Sequence, residues 1–301
     1  MEAVTDVVFR HVVAKAGRPD VFFTEFTNAT GWAHAGDKAI GGRLIKTDDE
    51  NLIVAQLWGS DPAAMEKLSI HCAELGYDGI DLNMGCPDSS AVKAGGGAGM
   101  IRTPEVAYEM IMAAKKSGLP VSVKTRLGYS RVDEWESWLG GILEQDVAVL
   151  TIHLRTKKEM SKVPAHFELI DGIKALRDRI APQTLLVING DIRDRAHGLE
   201  FVEKHGIDGI MIGRGIFSNP YAFTDNSMLA EQGSEERKQQ LIDLLRTHLD
   251  LYDTYSGVTN RPFETLKRFF KIYIRDFDGA SDLRDKLMHT KSTDEVRALL
   301  G

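Results

Sequence analysis

The feature that most constrains this chain is a repeated alternation of short, nearly continuous apolar runs with amphipathic segments of ten to fifteen residues. The apolar runs occupy residues 21–26, 52–57, 79–82, 121–125, 149–153, 185–189 and 209–212. Between them, residues 62–75, 104–117, 133–145, 167–180 and 196–205 carry apolar side chains at helical spacing. Strands apolar on both faces and joined by helices mark parallel βαβ units, because a parallel sheet is covered on both sides. Seven such units, each strand ending in polar or glycine residues, predict a (β/α)8 TIM barrel in preference to an open doubly wound sheet. Seven is one short of eight. The sequence opens Met1-Glu2-Ala3-Val4-Thr5-Asp6 and passes directly into a helical pattern over residues 7–13, with Thr5 or Asp6 as its N-cap. The strand expected before that helix is almost wholly missing, so the barrel should lack its first strand or close in an unusual way.

The alternation stops at a polar break, Ala230-Glu231-Gln232-Gly233-Ser234. Beyond it the pattern is helical throughout, over residues 235–251, 263–275, 281–288 and 293–300, which predicts a small helical bundle. The expected division is a barrel over 1–234 and a helical domain over 235–301. Charge divides at the same point. Residues 235–301 hold 12 basic and 12 acidic side chains, whereas the preceding 234 hold 25 against 32 and carry the whole net charge of −7. Binding nucleic acid by bulk charge is thereby excluded, and an RNA partner would need a local basic surface. The two cysteines, Cys72 and Cys86, fit a reducing compartment. No apolar run approaches the roughly 20 residues of a membrane span, and no signal peptide is evident, so the expected location is cytoplasmic.

Barrel chemistry sits at strand C-termini. Here the strand ends supply Gln56, Asn83, Lys124 and Arg126, His153 and Arg155, Asn189-Gly190-Asp191, and Gly213-Arg214. The last two groups follow the final two strands, where barrels commonly hold a phosphate on backbone N–H groups, although each is also readable as a tight turn. No Walker A or complete G-x-G-x-x-G occurs, which disfavours a P-loop or Rossmann site. Lys124 ends an apolar strand, and an ammonium there is costly unless it meets an anion such as a reduced flavin. Gln56 offers donor and acceptor to the imide edge of a heterocycle, and equally suits a satisfied polar cap. Cys72 shares an apolar helix face with Leu68 and Leu75 and reads as core. Cys86 lies instead in Asn83-Met84-Gly85-Cys86-Pro87, ahead of Gly95-Gly96-Gly97-Ala98-Gly99, in what reads as a mobile loop over the barrel mouth. A thiol there can act as a general acid. Neither Cys86 nor His153 has a partner at ligand spacing, so no metal is expected.

These segments, with Val121-Ser122-Val123-Lys124-Thr125-Arg126-Leu127-Gly128 and Gly213-Arg214-Gly215, closely resemble the tRNA-dihydrouridine synthases over essentially the whole chain. The resemblance implies an FMN-binding barrel followed by a helical tRNA-binding domain, with NADPH as reductant. It implies that Cys86 protonates C5 of a uracil ring while reduced FMN delivers hydride to C6. Gln56 and Lys124 would contact the isoalloxazine, and His153 would lie near the flavin or its phosphate. Asn189, Gly190, Asp191, Gly213 and Arg214 would hold that phosphate. Met1 and Glu2 fall where the family's first strand touches the flavin, and Asn83, Arg126 and Arg155 are expected at the substrate. The family's His-Gly-Arg-Thr stretch is followed by a tyrosine-containing loop; here His153-Leu154-Arg155-Thr156 leads into Lys157-Lys158-Glu159-Met160 without one.

In the tail, Arg261, Lys267, Arg268, Lys271 and Arg275 stand against one acid, Glu264, between residues 254 and 275. Lys267, Lys271 and Arg275 are four apart and share one face if the segment is α-helical, making a stripe able to track phosphates; an ordinary solvated face fits as well. The reading is a monomeric FMN-dependent reductase of tRNA uridine, without metal or membrane. Its rivals are a flavin barrel acting on a free pyrimidine, like a dihydroorotate dehydrogenase, and a non-catalytic tRNA-binding relative.

Overall fold

A computed structural model describes residues 1, 3–224 and 230–301. Helix α1 (Val7–Gly17) comes first, and Asp6 caps it by accepting the Phe9 amide hydrogen at 2.9 Å. All seven expected strands form, with one change. The strand expected over 21–26 is reduced to β1 (Phe22–Phe23), and a second short strand, β2 (Thr27–Asn28), lies just beyond it; both run parallel to β3 (Ile53–Trp58). Phe22 faces Ile53 and Thr27 faces Leu57, so five steps on one side match four on the other. The extra residue is a bulge, and it bends the strand around Thr24–Phe26.

The strands β4 (Gly79–Asn83), β5 (Val121–Arg126), β6 (Val149–His153), β7 (Leu185–Asn189) and β8 (Gly209–Met211) follow as successive parallel neighbours, giving the order β1-β3-β4-β5-β6-β7-β8. Helices α3 (Pro62–Glu74), α5 (Pro104–Lys115), α6 (Trp135–Leu143), α7 (Ile170–Ile180) and α8 (Arg195–His205) alternate with them, as the periodicity predicts. Between β2 and β3 lies an additional short helix, α2 (Ala29–Ala35). Among the described residues β8 pairs only with β7, and β1 only with β3. Phe22 and Phe23 nevertheless line the same cavity as Gly209, Ile210 and Met211. Among the described residues the sheet therefore curls into a barrel that stays open between β8 and β1. Helix α1 borders the opening through Phe9, Arg10 and Val13.

After α9 (Gly215–Ser218), helix α10 (Glu235–Thr259) runs well past the expected end at 251 and stops at Asn260, whose φ of 50° is left-handed. It packs on α1 through Phe9, His248, Phe269 and Tyr273; His248 Nδ1 meets the Tyr273 hydroxyl at 2.8 Å, and the Phe9 and Phe269 rings lie 4.7 Å apart. The expected α-helix over 263–275 is not continuous. A 3₁₀ helix spans Phe263–Phe269, then α11 covers only Phe270–Tyr273. Leu266, Phe269, Phe270, Ile272, Tyr273 and Ile274 are all buried, so burial on more than one side overrides a single amphipathic face. Helices α12 (Ala280–Met288) and α13 (Thr293–Leu300) close the chain.

Candidate active site

Side chains alternate along a strand, so residues two apart share a face. The faces turned into the barrel mouth carry Gln56 from β3, Asn83 from β4, Lys124 and Arg126 from β5, Thr151 and His153 from β6, and Val187 and Asn189 from β7. They line a cavity of about 1300 Å³. That exceeds the ordinary ligand site of roughly 300–1,000 Å³ because the cavity continues into the opening between β8 and β1.

One hydrogen-bonded chain crosses its floor. Asn83 Nδ2 donates to Gln56 Oε1 at 3.1 Å, Gln56 Nε2 donates to Asp81 at 2.7 Å, and Ser122 Oγ donates to the other Asp81 oxygen at 2.6 Å. Burial drives the Asp81 carboxyl above the usual carboxylate range. Sequence reasoning passed over Asp81, although its position two residues before Asn83 on an apolar strand marks it as inward-facing. Gln56 thus sits at the expected place with both ends of its amide already engaged.

Asn83 does more than line the mouth. Its Oδ1 accepts the amide hydrogens of Gly85 at 3.2 Å and Cys86 at 2.9 Å, folding the chain back so that Cys86 borders the cavity. Asn83, expected to touch substrate, therefore positions the thiol. The following loop is built rather than loose: α4 (Ser89–Lys93) and a 3₁₀ helix (Gly97–Arg102) give it regular structure, and the Ala98 amide donates to the Cys86 carbonyl at 2.9 Å. Gly97 has φ +53°, and a Cβ there would lie 2.7 Å from the Cys86 carbonyl oxygen, so the glycine run is what lets the loop close on the cysteine. Cys86 is half-buried, and burial raises its pKa, keeping it a thiol. Cys72 is fully buried, as its helix face predicts, and its pKa is pushed up to about 12.

Positive charge converges beside β4, on the neighbouring strand β5. Burial, with the neighbouring Arg126, pulls the Lys124 pKa down to about 8, and no hydrogen-bond acceptor meets its ammonium among the described residues. Burial and the cations Lys124, Arg126, Arg155 and Arg214 press His153 down to about 2, so its imidazole is neutral. His153 Nδ1 and Arg155 Nη1 are buried without partners. Beside His153, Gly190 (φ +111°) lines the cavity together with Gly213-Arg214-Gly215, which follow the neighbouring strand β8. The unpartnered His153 ring nitrogen and the Lys124 ammonium beside a glycine-lined end fit an elongated ligand with an anionic ring and a phosphate, which is the shape and charge of a flavin nucleotide.

Several expected contacts are differently employed. Asp191 is tied to Arg155 and to the Ala165 amide, so its carboxylate holds a loop and only its backbone is free for a phosphate. Arg155 is buried and does not line the cavity; its Nε donates to the Val163 carbonyl. Arg126 does line it, while donating to the carbonyls of Gly85, Thr156 and Met160. Met1 lines the mouth, and Glu2 lies outside the described residues. In the tail, Arg268 donates to the Ala3 carbonyl at 2.8 Å, Arg275 to that of Ser218 at 3.1 Å, and Arg261 pairs with Asp6 and with the fully buried Glu25. The expected stripe is therefore broken: Arg275 is turned onto the barrel, Lys267 lies over the Phe263 ring, and Lys271 is exposed. The reason is that Lys267 lies in a 3₁₀ helix, where residues four apart do not stack, and Arg275 lies beyond the end of α11.

A parallel barrel with a thiol and a cation-rich, glycine-ended cavity at its strand C-termini defines the class as a barrel enzyme with a nucleotide-sized cofactor site. Residues 1–300 match the family described as dihydrouridine synthase, and the chain belongs to it. It is 60% identical to the probable tRNA-dihydrouridine synthase 2 of Bacillus subtilis (strain 168) over 301 residues, which is all of this chain and 91% of that protein. It is 56% identical to a probable tRNA-dihydrouridine synthase of Staphylococcus aureus (strain Mu50 / ATCC 700699), covering 90% of that protein. The fold is similar to that of histamine dehydrogenase from Rhizobium sp. 4-9, with a TM-score of 0.51 and 12% identity over 73% of this chain and 42% of that one.

Proposed function

We propose that this chain reduces the C5–C6 double bond of uridine in tRNA, with FMN along the strand ends and NADPH as reductant. The observation that carries this reading is the pairing of a thiol kept protonated by burial, Cys86, with an unpartnered buried ammonium, Lys124. When bound, the reduced flavin supplies a hydride for C6 of the uracil. Cys86 supplies the proton for C5, so the ring gains one hydride and one proton while its C5–C6 double bond becomes single. Lys124 steadies negative charge on the cofactor ring, Gln56 and Asp81 fix the floor beneath it, and Asn189, Gly190, Gly213 and Arg214 cradle the phosphate. Arg126 backs the Cys86 loop from below. The target uridine would leave its stack to reach the mouth, since neither ring carbon is accessible inside folded RNA.

In this reading residues 1–234 house the chemistry and 235–301 face tRNA through Lys267, Arg268 and Lys271, acting as a monomer in the cytoplasm without a metal. Among the described residues no helix is long and apolar enough to cross a membrane. The deciding experiment is Cys86→Ala. The variant should keep its flavin absorbance and make no dihydrouridine in an unmodified tRNA transcript; undiminished turnover overturns the assignment.

A further inference from the structure

The loops that follow β4, β5 and β6 meet at a second feature on the rim of the mouth. Arg102 ends the 3₁₀ helix that closes on Cys86, and its guanidinium carbon lies 4.4 Å from the centre of the Tyr129 ring. Lys157 Nζ lies 5.1 Å from the same ring. The loops after β5 and β6 are strapped together. The Lys157 amide donates to the Gly128 carbonyl at 2.8 Å and the Lys158 amide to the Tyr129 carbonyl at 2.9 Å. Glu134 receives the Tyr129 amide at 2.6 Å and the Arg131 amide at 3.0 Å.

The charges around it are otherwise spent. Glu134 is taken up by those backbone amides, Asp133 by Arg131, and Glu159 by His166 and Thr156. Among the described residues no carboxylate lies within ion-pair distance of Arg102, Lys157 or Lys158, although the barrel carries the chain's entire excess of acid. Arg102 and Lys158 are exposed. Two cations are thus held over one ring with no carboxylate among the described residues to offset them. Each contact with the ring contributes only about 0.5–1 kcal/mol at an exposed site, enough to aim the groups but not to explain why both are cations.

Position gives the pair its meaning. In the order β1-β3-β4-β5-β6-β7-β8, strand β5 is the middle one, farthest round the curl from the opening at β1 and β8. The tail packs beside that opening, through Arg261 on Glu25, Arg268 on Ala3 and Arg275 on Ser218. Arg102, Tyr129 and Lys157 consequently stand on the opposite side of the mouth from the tail. We propose that they form a clamp for the RNA phosphodiester backbone, with Tyr129 holding the two cations in place, so that the strand carrying the target uridine is held on both sides of the mouth. The clamp rests on the reading of tRNA as substrate and adds a contact to it.

The test uses the full-length, flavin-loaded protein and an unmodified tRNA transcript. Removing two phosphate contacts, with Arg102→Gln and Lys157→Gln together, should flatten the dependence of log affinity on log salt by roughly 1.4–1.8. Between 50 and 200 mM salt the wild-type protein should therefore lose about tenfold more affinity than the double variant. KM for tRNA should rise at unchanged kcat, while flavin content and flavin reduction by NADPH stay as in the wild type. The charge-preserving pair Arg102→Lys with Lys157→Arg should restore the wild-type slope. A double variant with an unaltered salt slope and KM overturns the clamp and leaves the catalytic reading standing. Wild-type protein that binds the transcript through this cluster but forms no dihydrouridine overturns the catalytic reading and leaves the clamp.

Discussion

Asn83 offers the sharpest test of how the site is held. Its side chain makes three contacts: it receives the amides of Gly85 and Cys86 and donates to Gln56. Asn83→Ala removes all three. An unsatisfied buried polar group costs about 1–3 kcal/mol, and two backbone amides plus the Gln56 oxygen are released. Water in the mouth can serve the half-buried Cys86 amide but not the fully buried Gly85 amide, so the net loss of stability should be about 2 kcal/mol. The catalytic loss should be larger in proportion. A thiol released from its turn is misplaced by about 1 Å, which lowers rate by about 10²-fold. Single-turnover formation of dihydrouridine in a tRNA transcript should fall by that factor, whereas anaerobic reduction of the flavin by NADPH should not change. Asn83→Asp keeps an acceptor for both amides and loses the donor to Gln56, so it should retain more activity than the alanine variant. A folded, flavin-loaded Asn83→Ala protein with wild-type single-turnover rate would refute the positioning role.

Other outcomes follow from buried charge. With its pKa near 8 in the empty site, Lys124 loses its ammonium as pH rises, so flavin affinity should be constant below pH 8 and fall about tenfold per unit above it; titration of the apoprotein across pH 7–10 checks this, and Lys124→Met should abolish the pH dependence. Arg261→Ala leaves the buried Glu25 carboxylate without its guanidinium and should cost about 2–4 kcal/mol, read as a lower urea midpoint. His248 is buried, and its pKa is pushed down to about 3, so between pH 6.5 and 3 the unfolded chain binds a proton that the folded chain refuses. Stability from this group is complete above pH 6.5 and lost as pH falls, by up to about 1.4 kcal/mol per unit, and His248→Gln should give a shallower decline in urea midpoint.

Much of this was legible in residue order. Near-continuous apolar runs specify parallel strands without reference to distant residues, and alternation along β5 alone puts Lys124 and Arg126 on one face. The glycines around Cys86 likewise carry their meaning locally. What escaped depended on contacts far apart in the chain. The bulge at residues 24–26 is visible only against β3, because Gln56 donates its amide hydrogen to Thr24 Oγ1 across 32 positions. Arg261 reads as free because Glu25, 236 positions away, gives no local sign of being its partner. The stripe failed for a related reason: spacing by four assumes an α-helix, and the burial of Leu266, Phe269 and Phe270 against α1 and α10 tightened the segment into 3₁₀ turns.

The attachment of the tail to the barrel has one more consequence. Because Arg261, Arg268 and Arg275 anchor it to the barrel, the tail is no tethered arm that must search for RNA and then settle. The span between its remaining lysines and Cys86 is set when the protein folds, so the ordering entropy is met before the substrate arrives. In the proposed reading such a fixed span works as a caliper, and the uridine selected is the one whose distance from the gripped backbone equals the opening of the jaws.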